Sequence, residues 1–233
     1  MGKWFIDPPM KMIVPAYEIS DQTAAIKARR LMDEVLNYAT PDNLDKSLED
    51  MGMSSDRSGT RRWKILLTLP ARRRDLLGVW LDGKGRSMER PDPKKTRTLL
   101  LIMLVSSDLV SVREGSGKLF LSSILFERNQ ILRAYTSGIK AGKTSAMLTV
   151  TLHALQRMIQ RGAALTDNGE LSYVDLLNHL TNVFVLAQKR FLADKTLLEH
   201  RIEFAGGTFV VRAGESGQGK SELTLVTMLP PKN

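Results

Sequence analysis

The sequence predicts an α+β protein, predominantly helical, with small antiparallel β-hairpins. Three observations lead there. Two N-terminal segments carry helix caps and apolar residues at helical spacing. Three later segments run long without a breaking residue and read as helices. Two Gly-Ser turns lie between alternating apolar and polar residues, the pattern of hairpins.

The chain begins with a Pro- and Met-rich stretch of eighteen residues that reads as an extended arm. SDQTAAIKARRLMDEVLNYAT (20–40) follows, with Ser20 or Asp21 as cap and Ala24, Ile26, Leu31, Val35 and Leu36 roughly along one face. TPDNLDKSLEDMG (40–52) is a shorter helix with Thr40 as cap, Pro41 in the first turn and Gly52 as stop. RRWKILLTLP (61–70) places Trp63, Ile65, Leu67 and Leu69 in alternation, which predicts a strand. Residues 75–90 fit a helix end or a hairpin turning at Asp82-Gly83-Lys84-Gly85. The exposed stretch ERPDPKKT (89–96) is the candidate boundary between a helical part, 1–90, and a helix-rich part with two hairpins, 91–233, with a single domain as the alternative.

The run at 96–108 is long enough for a helix or a strand. LVSVR-EGSG-KLFLSS (109–123) is the first hairpin signal. SILFERNQILRAYTSG (123–138), TSAMLTVTLHALQRMIQRG (144–162) and LSYVDLLNHLTNVFVLAQKRFLADKT (171–196) read as three helices, the second capped by Thr144 and the third by Ser172. EHRIEFAGGTFVVRA (199–213) and SELTLVTMLP (221–230) are strand-like.

Composition narrows the functional classes. Cysteine is absent, which excludes disulfides, thiolate-held zinc, iron–sulfur clusters and thiol catalysis. No metal-ligand cluster stands out, so neither metal nor cofactor is expected. The longest apolar run, LLLIMLV (99–105), is too short to cross a bilayer, and MGKWFIDPPMK lacks the apolar core of a signal peptide. A soluble, cytoplasmic protein is the expectation.

The net charge is +9, and the segment from Arg57 to Arg97 holds thirteen Lys and Arg against four acids, which accounts for the whole excess. The candidate phosphate-contacting residues are Arg57, Arg61, Arg62 and Lys64, then Arg72, Arg73 and Arg74, then Lys84 and Arg86, then Lys94, Lys95 and Arg97. Lys118 and Lys220, each at a hairpin turn, join them. Such a segment suits nucleic acid, RNA foremost, or an anionic membrane surface, and it equally suits a solubilising surface. A non-enzymatic assembly protein, matrix-like or capsid-associated and self-associating as a homo-oligomer, is the alternative to a catalytic role.

Two stretches resemble phosphate loops. GESGQGKS (214–221) satisfies G-x-x-x-x-G-K-[ST], and SGIKAGKT (137–144) misses only its first glycine. A phosphate loop needs a strand before it and a helix directly after it, whose free N–H groups meet the phosphates. ELTLVTMLPP alternates and then meets two prolines, so GESGQGKS is expected to be a hairpin turn. SGIKAGKT is expected to link two helices. Nucleotide binding is therefore not expected.

The helix containing HALQRMIQR offers the sharper chemistry. At 100° per residue Leu148, Leu152, Leu155 and Ile159 form one stripe, with His153, Arg157, Gln160 and Arg161 opposite. An arginine can hold a phosphate and an imidazole can move a proton, which is enough for RNA cleavage through its own 2′-hydroxyl. The exposed polar face of an amphipathic helix gives the same pattern. TLHALQRMIQRG, a further helical stretch, then GGTFVVRA and LTLVTMLP resemble the barnase/EndoU/colicin/RelE-like ribonuclease-toxin domains. The resemblance spans 144–230. It implies a metal-independent ribonuclease with His153 and Arg157, joined by Arg161 and Thr227, at the RNA phosphate. His179 and His200 are expected to be structural.

Overall fold

The computed structural model describes residues 19–38, 41–53, 56–106, 117–133, 142–166, 168–194, 196–204, 207–215 and 221–230. Its central feature is an eight-stranded mixed sheet, which corrects the expectation of a mainly helical chain with small hairpins. The described strands are β1 (Leu77–Leu81), β2 (Ser87–Met88), β3 (Thr98–Ser106), β4 (Lys118–Glu127), β5 (Lys143–Thr151), β6 (Glu199–Phe204), β7 (Gly207–Glu215) and β8 (Ser221–Leu229). Their order in the sheet is β2-β1-β3-β4-β5-β8-β7-β6. The described helices are α1 (Asp21–Tyr38), α2 (Pro41–Asp50), α3 (Gly59–Arg72), α4 (Arg128–Arg133), α5 (Leu152–Gln160) and α6 (Tyr173–Ala193).

Three elements depart from the sequence reading. Residues 61–70 are not a strand but most of α3. Trp63, Leu66, Leu67 and Leu69 are buried while Arg61, Lys64 and Thr68 are exposed, the period of a helix rather than of a strand. Residues 123–138 begin as the second half of β4 and turn directly into α4. Residues 144–162 begin as β5 and turn directly into α5, so Thr144 is a strand residue. The cap is Thr151, whose hydroxyl accepts from the Ala154 N–H at 3.1 Å. The run at 96–108 resolves as a strand, β3. The first arm of the predicted 109–123 hairpin lies outside the described residues, as does the N-terminal arm.

The chain packs as two compact units. The first comprises Tyr38–Met103 and Ser122–Ser145 with 1–7, the second Pro8–Asn37, Leu104–Leu121 and Ala146–Asn233. Within the first, α3 seats Trp63, Leu66, Leu67 and Leu69 in the core with Val79, Leu81, Leu99 and Leu101. Burial of such side chains is the main favourable term, each contributing about 1.5–3 kcal/mol. β1 comes close to α3 because residue 78 is glycine. A Cβ there would stand 2.5 Å from Pro70 Cγ. The Trp80 indole N–H donates to the Leu67 carbonyl at 3.3 Å and fastens strand to helix.

In the second unit β6 and β7, then β7 and β8, pair antiparallel, while β5 pairs parallel with β8 through Thr149↔Thr224 and Val150↔Leu225. α5 packs on β8, and α6 packs on β6 and β7. α6 is capped by Ser172, as its sequence predicts, with the hydroxyl accepting from the Asp175 N–H. Its buried Thr181 and Asn182 side chains donate to carbonyls one turn back, Leu177 O at 2.7 Å and Asn178 O at 2.9 Å, so both are satisfied within the helix. Among the described residues no helix is long and apolar enough to cross a membrane.

Candidate nucleic-acid interface

α3 organises the basic segment. Ser58 caps it, accepting from the Arg61 N–H. The apolar residues turn one face inward, which leaves Arg61, Lys64, Thr68 and Arg72 along the opposite face, all exposed. With about 1.5 Å of rise per residue, Arg61 and Arg72 stand about 16 Å apart along the axis. Arg57 precedes this row and Arg74 follows it, both exposed. Among the described residues none of these five cations forms an ion pair.

The β1–β2 hairpin supplies a second group. Asp82 is its organiser. Its carboxylate accepts from the Lys84 N–H at 2.8 Å, the Arg86 N–H at 3.0 Å and the Arg86 guanidinium at 2.7 Å. The Arg86 backbone N–H, followed by its guanidinium, holds the Asp82 carboxyl down at about 2. Lys84 is presented at the exposed tip, where Gly85 takes a positive φ of 75°. Arg97 lies alongside, its Cγ 3.6 Å from where a Gly83 Cβ would stand. In the loop after β2, Asp92 plays a similar part. It accepts from the Lys94 N–H at 2.8 Å, which draws its pKa down, and it meets Lys95 Nζ at 4.0 Å. Lys94 and Lys95 are exposed. So is Arg90, a cation of this loop absent from the sequence-derived set although the same charge count contains it.

Two of the predicted contact residues are not surface cations. Arg73 pairs with Asp75 and donates to the Ser47 hydroxyl at 2.6 Å and the Asn43 carbonyl at 3.3 Å, so it ties the end of α3 to α2. Arg62 is only 5% exposed. Lys118 is exposed at the start of β4, in the second unit, and Lys220 lies outside the described residues.

The His–Arg helix is shorter than its sequence suggests, and its polar face is engaged. His153 is exposed at the first turn of α5. Arg157 pairs with Asp21 Oδ1 of α1 at 3.1 Å and also donates to Gln160 Oε1. These residues line a cleft of about 140 Å³ with Ala24 and Gln156. Arg161 is the C-cap residue, half-buried. Thr227 sits half-buried on β8, opposite Val210 of β7, and among the described residues its hydroxyl makes no hydrogen bond.

Both phosphate-loop look-alikes run into strands. Gly214 and Glu215 end β7, Ser221 begins β8, and Gly214↔Glu222 and Glu215↔Ser221 pair antiparallel, so GESGQGKS spans a hairpin. Residues 216–220 lie outside the described residues. Lys143 and Thr144 open β5, so SGIKAGKT is followed by a strand and not by the expected helix. Comparison of the chain with protein-family models, with curated proteins and with solved structures finds no match.

Proposed function

We propose that this protein binds the phosphate backbone of nucleic acid, RNA foremost, through the cations of the first unit. The observation that carries the reading is the row on α3. Arg61, Lys64 and Arg72 are held on one face of a rigid helix, exposed and, among the described residues, without an ion-pair partner. Each phosphate contact releases a condensed counterion, so binding weakens with salt, with a log–log slope of about 0.9 per contact on a duplex and about 0.7 on a single strand. The test is fluorescence anisotropy with RNA from about 50 to about 300 mM salt, over which the Debye length falls from roughly 14 to roughly 6 Å. Changing Arg61, Lys64, Arg72 and Arg74 to Gln together lowers the slope by about 3 and the affinity by about a hundredfold. Equal binding by the neutralised protein removes the α3 row from the reading, and no binding at the lowest salt ends it. Uptake by anionic vesicles with RNA left unbound favours the assembly-protein alternative.

A second reading rests on a different observation. His153 and Arg157 line the same cleft, a proton carrier beside a phosphate ligand. RNA cleavage in EDTA that disappears in His153→Ala supports it. The Asp21 carboxylate on Arg157 weighs against it, because a phosphate must compete for the guanidinium already paired there.

A further inference from the structure

Arg62 differs from every other cation of the basic segment. It is 95% removed from solvent, and its Nε and Nη1 have no hydrogen-bond acceptor among the described residues. Nη2 has none either but is not enclosed, so one corner of the guanidinium reaches the surface. A guanidinium keeps its charge at any pH a folded protein meets, and removing an unpaired charge from water is among the costliest features a fold can hold. Buried arginines are therefore found with a carboxylate or another anion. Among the described residues no carboxylate meets this one.

The neighbouring helix carries a second buried guanidinium nitrogen without an acceptor among the described residues. α4 packs against α3 closely enough that a Cβ on Gly59 would stand 2.6 Å from the Leu132 backbone. Arg128, the first residue of α4, also buries its Nε without an acceptor. Arg62 lies one turn into α3, next to the exposed Arg61, where the helix begins and its positive end adds to the field. A buried guanidinium short of acceptors, one turn into a helix and next in sequence to an exposed cation, forms an environment that favours an oxyanion.

The geometry points to an oxyanion site at Arg62, with a phosphate group as the missing acceptor. With Nε and Nη1 enclosed, a phosphate oxygen meets the guanidinium at its Nη2 corner, and the partial enclosure leaves little competition from water. The phosphate can come from a nucleic-acid backbone or be the free ion. The first source rests on the function proposed above; the site itself does not. The exposed row then supplies salt-sensitive attraction, and Arg62 supplies the anchor that fixes where the backbone lies.

The test uses the full chain and the variants Arg62→Met, Arg62→Lys and Arg74→Gln. Inorganic phosphate at millimolar concentration raises the Tm of the wild type. In phosphate-free buffer Arg62→Met has a higher Tm than the wild type, because an unpaired buried charge is gone, and phosphate no longer shifts it. RNA affinity falls at least tenfold in Arg62→Met and two- to threefold in the exposed control Arg74→Gln. Arg62→Lys keeps the charge but replaces the planar guanidinium with a compact ammonium that cannot present a donor at the Nη2 position, and its response to phosphate drops by several fold; this variant decides the matter if Arg62→Met does not fold. An undiminished phosphate response in either Arg62 variant overturns the site, as does a wild type insensitive to phosphate. A lower Tm for a folded Arg62→Met in phosphate-free buffer also overturns it, since the guanidinium is then satisfied from within. A phosphate response lost in Arg62→Met with RNA affinity unchanged supports the site and assigns it the free ion. A wild type that responds to phosphate but does not bind RNA keeps the site and removes the function proposed above.

Discussion

The two helices that carry arginines on a polar face, α3 in the first unit and α5 in the second, differ in one respect that decides what each can do. On α3 the exposed cations form no ion pair among the described residues. On α5, Arg157 has Asp21 at 3.1 Å and the Gln160 amide beside it. Residue type and helical spacing are alike. What differs is whether the fold supplies the counter-charge itself. An arginine answered within the fold contributes to holding helices together, and one left unanswered is free for a partner. Arg73, one residue beyond α3, makes the point at closer range, since Asp75, Ser47 and Asn43 turn it into a tie between helices.

The hardest test of this contrast removes the seat of α3. Trp63→Ala empties a site that is 1% exposed and costs about 3–5 kcal/mol, read as a drop in the denaturant midpoint. Binding to RNA falls with it if the row matters as an array. Unchanged affinity in the surviving folded fraction means the cations act singly.

A pH titration probes the second unit. His179 is 4% exposed, its Nδ1 meets the Asp175 carbonyl at 2.7 Å, and it stands edge-on to Phe204. Burial pushes its pKa below the ordinary 6.5, against a smaller opposing effect of Asp175. The unfolded chain therefore takes up a proton near 6.5 that the native imidazole refuses. The stabilisation is fully present above that pH and is lost as pH falls through 6.5 towards the lower native value. His179→Leu flattens this part of the Tm profile, and an equally steep profile in that variant assigns the effect elsewhere.

The smallest effect belongs to the ion pair of α1 and α5. Asp21 is 75% exposed and Arg157 33%, so Asp21→Asn changes stability by less than about 1 kcal/mol. RNA affinity stays within about twofold, as for any contact outside the binding surface. A tenfold gain on freeing Arg157 would make α5 a binding face and erase the contrast.

The sequence discloses caps and turns well and partner strands poorly. α1, α2 and α6 announce themselves through Asp21, Pro41 and Ser172, and the β7–β8 hairpin through alternation on both sides of its turn. β4 and β5 stayed hidden because each runs into a helix with no glycine or proline between. Glu127 is followed by Arg128 and Thr151 by Leu152, and the apolar residues continue a helical period across the junction. The β-branched cluster Thr149, Val150 and Thr151 was the local sign of a strand. In α3 the error ran the other way, because Trp63, Leu67 and Leu69 satisfy both periods and only Leu66 breaks the tie. The basic surface was legible as a charge count. The burial of Arg62 was not, since it depends on how α3 is seated, and the pairing of Arg157 with Asp21 depends on residues far apart in the chain.

The parallel pairing of β5 with β8 bears on how the second unit comes into being. Its partners lie about 75 residues apart in the chain, joined also by Thr151 Oγ1 to the Val226 carbonyl. Long loops must close before such a pair forms, which slows folding relative to local hairpins. During synthesis β5 leaves the ribosome well before β8 exists, so its edge waits without a neighbour while α5 and α6 are made. Until β8 pairs with it, that edge of β5 carries unpaired N–H and C=O groups, the kind of open strand edge that invites pairing with another chain.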